Sequence, residues 1–71
     1  MRRETPEQFV RRVTRRIAQL RRERGLTQAD AAKELGVALK NWQRIEAGQN
    51  LTLHTLARVA AVLDCKPGDL V

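Results

Sequence analysis

Residues 26–48, LTQADAAKELGVALKNWQRIEAG, hold two short helical patterns that meet at a glycine, and their reading decides the fold. Thr27 is the type of residue that caps a helix start, because its hydroxyl oxygen accepts from an amide of the first turn. Good helix formers follow it from Gln28 to Leu35. Gly36 supplies the tight turn. A second period begins at Val37, with Val37, Trp42 and Ile45 spaced to face inward and Leu39, Lys40, Gln43 and Arg44 to face outward, until Gly48 closes the helix. The stretch therefore predicts two helices around a glycine turn, the second presenting long polar side chains.

Upstream, Thr5-Pro6-Glu7-Gln8 reads as an N-cap, a proline at the first helical position, an acidic residue near the helix start and a Gln placed to reach back in a capping box. Phe9, Val13, Ile17 and Leu20 then form one apolar stripe, and Gly25 is the natural stop, so a helix of about 19 residues is expected. Its other side carries Arg11, Arg12, Arg15, Arg16 and Arg22 with few acidic residues within one turn. That run is either a solvated face or a surface that adds affinity for phosphates without sequence preference.

Downstream, Gln49 to Thr52 is a polar connection and Thr52 a cap for a fourth helix. Leu53, Leu56, Ala57, Val59, Ala60 and Leu63 give it a broad apolar face, while His54 and Arg58 fall toward solvent. Asp64 stands where this helix should stop, since Asp tolerates the left-handed conformation of a C-terminal turn. Pro67 to Leu70 forms a last short turn that brings Leu70 and Val71 back to the core. The expectation is a compact all-α bundle of five helices, with residues 1–5 a short charged lead and residues 6–71 one domain.

Composition narrows the function. A chain of 71 residues buries only about 60% of its unfolded surface and leaves little room for a deep enzymatic pocket. Aromatics make up 3% of it, so Leu, Val, Ile and Ala must build the core. The net charge of +6 and a sequence pI near 11.1 make a polyanion, nucleic acid first, the partner to consider. Cys65 has no second cysteine to pair with, and with His54 alone beside it there is no ligand set for a metal cluster, which fits a reducing cytoplasm and no cofactor. His54 has no acid or second His near it in sequence and reads as a surface residue. There are no paired carboxylates, no nucleophile with a base and no phosphate-cradling glycine loop, so an enzyme is not expected. Neither a membrane span nor a signal peptide is visible, and a cytoplasmic protein is expected.

Leu26-Thr27-Gln28, Ala32, Leu35-Gly36-Val37, Ile45-Glu46, Gly48, Leu53, Leu56, Ala57 and Leu63 stand at the spacings of a known family. Over about Phe9 to Leu70 the chain resembles the Cro/C1-type helix-turn-helix domains, the phage-repressor-like DNA-binding domains of the XRE family, with the helix-turn-helix at 28–47. Several motifs in register over most of the chain are more specific than an isolated helix-turn-helix pattern. The resemblance implies a λ-repressor-like bundle in which the helix from about Ala38 to Ala47 enters the major groove of double-stranded DNA while the helix from Gln28 crosses the backbone. Thr27 and Gln28, at a helix N-terminus, then hold a phosphate. Lys40, Gln43 and Arg44 read bases, Arg or Lys suiting guanine and Gln adenine. Leu39 occupies a position where relatives often carry a polar reader. It either meets a thymine methyl or is a lone exposed leucine. Asn41, Gln49 and Asn50 are candidates for phosphate or sugar contacts that set register.

Three departures from the family pattern stand out. Ala38 replaces the usual Ser or Thr cap, at a cost of about 1 kcal/mol. Ala31 stands where a larger Leu is usual and Trp42 where Ile or Val is usual, so the Trp42 ring either fills the space above Ala31 or lies exposed to stack on a base or partner. The resemblance also implies an ion pair between Arg21 and Glu46 that orients the reading helix. The function it implies is a transcriptional repressor acting as a homodimer through the C-terminal helices. The alternative is a protein-interaction module or antitoxin component on the same fold.

Overall fold

The computed structural model describes residues 3–49 and 51–71, and among them there are four α-helices and no strand. Helix α1 spans Pro6–Glu23, α2 Gln28–Leu35, α3 Leu39–Glu46 and α4 Leu53–Val62. A fifth helix is not formed: Pro67–Asp69 makes a single 3-10 turn instead. Gly68 inside this segment and the proline at its start suit one tight turn better than continued helix.

The N-termini follow the sequence closely. At α1 the amide of Gln8 donates to the Thr5 hydroxyl at 3.1 Å and the Thr5 amide donates to the Gln8 side chain at 2.9 Å, closing the capping box. Thr52 caps α4 by accepting from the Thr55 amide at 3.0 Å. The helix ends repeat one device. After α1, the Leu26 amide donates to the Arg21 carbonyl while Gly25 takes φ 72°, and after α4 the Cys65 amide donates to the Ala60 carbonyl while Asp64 takes φ 55°. Both are left-handed stops in which one residue with positive φ lets the chain turn back over the last carbonyls.

Val13 and Ile17 of α1, Ala31, Ala32 and Leu35 of α2, Trp42 and Ile45 of α3, and Leu56, Val59, Ala60 and Val62 of α4 make one core, closed by Leu63 and Leu70. Four expected core residues, Phe9, Leu53, Ala57 and Val71, lie outside it. Phe9 is 40% exposed because α1, at 18 residues or about 27 Å, is much longer than its partners, so its first turn overshoots them. On α4, Leu53 is 86% exposed and Ala57 is exposed too, while Val62 is buried. The buried stripe of α4 is thus rotated away from the flank that Leu53 and Ala57 share at i, i+4 spacing. Leu70 returns to the core, but Val71 does not and is 52% exposed.

Candidate nucleic-acid interface

The candidate interface is built on α3. Its inward side is set by Trp42, which is fully buried, and Ile45, 6% exposed. About 100° per residue then carries Lys40, Gln43 and Arg44 to the opposite side, and all three are exposed. Leu39 lies at the edge of this face at 43% exposure. Asn41 is exposed on the flank nearer α4, where it lines a shallow cleft with Arg44, Thr55 and Arg58. The burial of Trp42 rules out the exposed, stacking position. Ala31, also fully buried, lies in the same core, and its small side chain leaves volume there for an indole.

Glu46, at the last turn of α3, is where three helices meet. The Arg21 Nε of α1 donates to its Oε2 at 2.6 Å and Nη2 donates to Oε1 at 3.4 Å, a two-pronged pair. Gln28 Nε2 of α2 donates to Oε1 at 3.1 Å, and the indole N–H of Trp42 donates to Oε2. A further N–H of Arg21 donates to the Leu26 carbonyl at 2.8 Å. With the side chains of Arg21 and Glu46 only 11% and 10% exposed, these bonds act in a poorly solvated setting. Burial pushes the Glu46 carboxyl up, but hydrogen bonds from Arg21, Trp42 and Gln28 and the Arg21 charge outweigh it and hold the group below the usual carboxylate range. The pair is thus a cluster, and the sequence did not show that Gln28 and Trp42 belong to it.

At the start of α2 the geometry differs from a simple phosphate seat. The Asp30 amide donates to the Thr27 hydroxyl and the Thr27 amide donates to the Asp30 carboxylate, each at 3.0 Å. The threonine oxygen is therefore an internal cap. The Asp30 carboxyl is held below its usual range by hydrogen bonds from Thr27 and is negative at the helix start. Gln28, partly buried, has one amide N–H on Glu46 and one more to offer. Ala38, in extended conformation at the start of α3, makes no side-chain cap bond.

Gly48 lets the chain leave α3 close against α1. Its φ is 83°, and a Cβ there would stand 2.7 Å from Val10 Cγ1. Gln49 follows, exposed, its amide donating to the Arg44 carbonyl at 2.8 Å. Asn50 lies outside the described residues. Gly36, at φ 82°, makes the turn between α2 and α3, and the Val37 amide donates to the Ala32 carbonyl at 2.9 Å. Arg58, read as solvent-facing, also closes the end of α2: its guanidinium donates to the Leu35 carbonyl at 2.8 Å.

A family model described as a helix-turn-helix domain matches residues 6–71. The chain belongs to the helix-turn-helix domain family. No curated protein and no solved structure matches it. In this helix-turn-helix domain α2, the Gly36 turn and α3 form the motif, and α1 and α4 pack behind it. None of the described helices is long and apolar enough to cross a membrane.

Proposed function

We propose that the protein is a sequence-specific regulator of transcription that binds double-stranded DNA, with α3 in the major groove. The observation that carries this reading is the contrast between the two sides of α3: three long polar side chains stand exposed on one, while the other is fastened through Glu46 to α1 and α2. A helix presented in this way can hold side chains against base edges without reorganising. Arg44 and Lys40 suit guanine and Gln43 suits adenine, with Leu39 placed for a thymine methyl. Thr27 through its hydroxyl hydrogen, Gln28 through its backbone amide and second side-chain N–H, and Asn41, Gln49 and Asn50 are assigned to phosphate and sugar, where they set register. The λ-repressor-like bundle, with residues 6–71 as its domain, is part of the same reading. A surface this small reads only a few base pairs. The protein therefore works as a homodimeric repressor, pairing through the end of α4 and the segment 64–71, with reading helices about 34 Å apart.

Selection of bound sequences from a random duplex pool at fixed ionic strength tests this. An enriched motif of two half-sites one helical turn apart is expected. Arg44→Ala should relax preference at one position of each half-site and weaken binding by about 1–3 kcal/mol per contact. A pool that returns no motif, with no dependence on Lys40 or Arg44, would refute the assignment.

A further inference from the structure

Away from α3, α1 and the C-terminal turn enclose a groove of about 770 Å³ lined by Arg11, Arg12, Arg15 and Arg16 and by Asp69 and Val71. We propose that this groove is a docking site for an acidic, amphipathic helical segment of another protein.

The groove already shows how it takes a carboxylate. Arg12 holds Glu4 with two parallel bonds, Nε to Oε2 at 2.9 Å and Nη2 to Oε1 at 3.1 Å. With side chains 48% and 37% exposed, this is a weak, replaceable surface pair. Arg12 Nη1 also donates to the Val71 carbonyl at 3.1 Å, and Arg16 Nε donates to the Asp69 carbonyl at 3.2 Å, so these two arginines fix the groove wall. Arg11 and Arg15 form no ion pair or side-chain hydrogen bond among the described residues. They stand one helical turn apart, about 5–6 Å at Cβ, which is the spacing of carboxylates at i and i+4 on a second helix.

Three observations select a protein over the duplex that α3 reads. Arg12 and Arg16 lie on the side of α1 opposite Val10, Thr14 and Arg21, the residues that meet Gly48 and Glu46 at the end of α3, and Arg15 points outward between Arg12 and Arg11 on the flank, so the groove turns away from the reading face along Arg12, Arg15 and Arg16. Carboxylates of Glu4 and Asp69 on its lining repel a continuous phosphate backbone but leave room for discrete acidic side chains. Exposed apolar surface borders it: Val71 lines the groove and Phe9, 40% exposed, sits under the Arg12 guanidinium at 5.2 Å. Asp69 and Val71 also belong to the segment proposed to pair two copies of the chain, so the acidic helix and a second copy compete for this wall.

The test uses a fluorescent, alanine-based helical peptide with glutamates at i, i+4 and leucines on the adjacent stripe, titrated with the full chain at one ionic strength. The same proteins are titrated against a selected duplex. The peptide should bind. Arg11→Gln with Arg15→Gln should weaken the peptide about tenfold and leave the duplex within about twofold. Lys40→Gln with Arg44→Gln, which removes equal charge, should do the reverse. Glu4→Gln, which releases Arg12, should tighten the peptide about threefold. Circular dichroism checks that the variants, all at exposed positions, keep their helices. An unbound peptide, equal losses for both double variants, or a loss confined to the duplex on changing Arg11 and Arg15 would each overturn the proposal. Failure of the duplex titration alone would refute the DNA reading and leave the groove standing.

Discussion

Helices α2 and α3 have the same length, eight residues, and they are held by different forces. α2 is secured at both ends by hydrogen bonds to its own backbone: the Thr27 and Asp30 box at the start, Arg58 on the Leu35 carbonyl at the end. α3 begins at Ala38 with no side-chain cap. What fixes it lies further along, in the buried indole of Trp42 and in the Glu46 carboxylate held from α1 and α2. Isolated helices this short are marginal in water, so each needs help from outside its own ladder. The helix that positions the motif takes much of that help locally, and the helix that presents the polar face takes it from the tertiary structure. The two should therefore respond to different mutations.

The largest effect is expected at Trp42. Trp42→Ala should cost about 3–5 kcal/mol, most of the stability of a domain this size, and urea unfolding followed by circular dichroism will read it as loss of all helices together. If only α3 melted while α1 and α4 stayed folded, the indole would not be the keystone described here.

Glu46→Gln comes next. Removing the charge leaves Arg21 without its partner in a nearly closed site and should cost about 2–3 kcal/mol at neutral pH, below the full penalty for a completely buried pair. The folded-state pKa of Glu46 is lowered, so the stabilisation is fully present above the unfolded carboxylate value of about 4.3 and is lost as pH falls through the lower folded value. Denaturation midpoints between neutral pH and pH 3 should fall more steeply for the wild type than for Glu46→Gln. Parallel curves would show that the carboxylate contributes nothing through its charge.

Two smaller substitutions set the helix starts against each other. Thr27→Ala should destabilise by about 1 kcal/mol because α2 relies on that cap. Ala38→Ser should stabilise by about 0.5–1 kcal/mol, since the backbone at Ala38 already has the extended conformation a capping serine needs. Hydrogen exchange of the α3 amides should slow in Ala38→Ser. An unchanged exchange rate would mean that packing at Trp42 and Glu46 already removes all fraying.

The helix starts and stops were legible because their physics is local. Thr5 with Gln8, the turn at Gly36, Thr52, and Asp64 in the left-handed region all act over three to five residues, and neighbouring sequence suffices to find them. The outward position of Lys40, Gln43 and Arg44 followed from periodicity alone. Periodicity misjudged Phe9, Leu53 and Ala57, because an apolar stripe shows which side of a helix is eligible for burial and not where the neighbouring helices end. The last short turn expected at Pro67 to Leu70 does form, but as a single 3-10 turn and not as a fifth α-helix.

By itself, then, the sequence determined four helices, their caps, the family and the outward face of α3, all from interactions within a turn or from a pattern repeated along the chain. The tertiary structure alone decided what stands behind that face. Glu46 draws Arg21, Gln28 and Trp42 together from three helices, and Gly48 has to pass Val10. Arg12 and Arg16 reach the carbonyls of the C-terminal turn and so give the arginine face of α1 a second wall. Partners 18 to 59 residues apart meet only when the helices have packed, because no local rule records which side chains the core will bring within hydrogen-bond distance of one another.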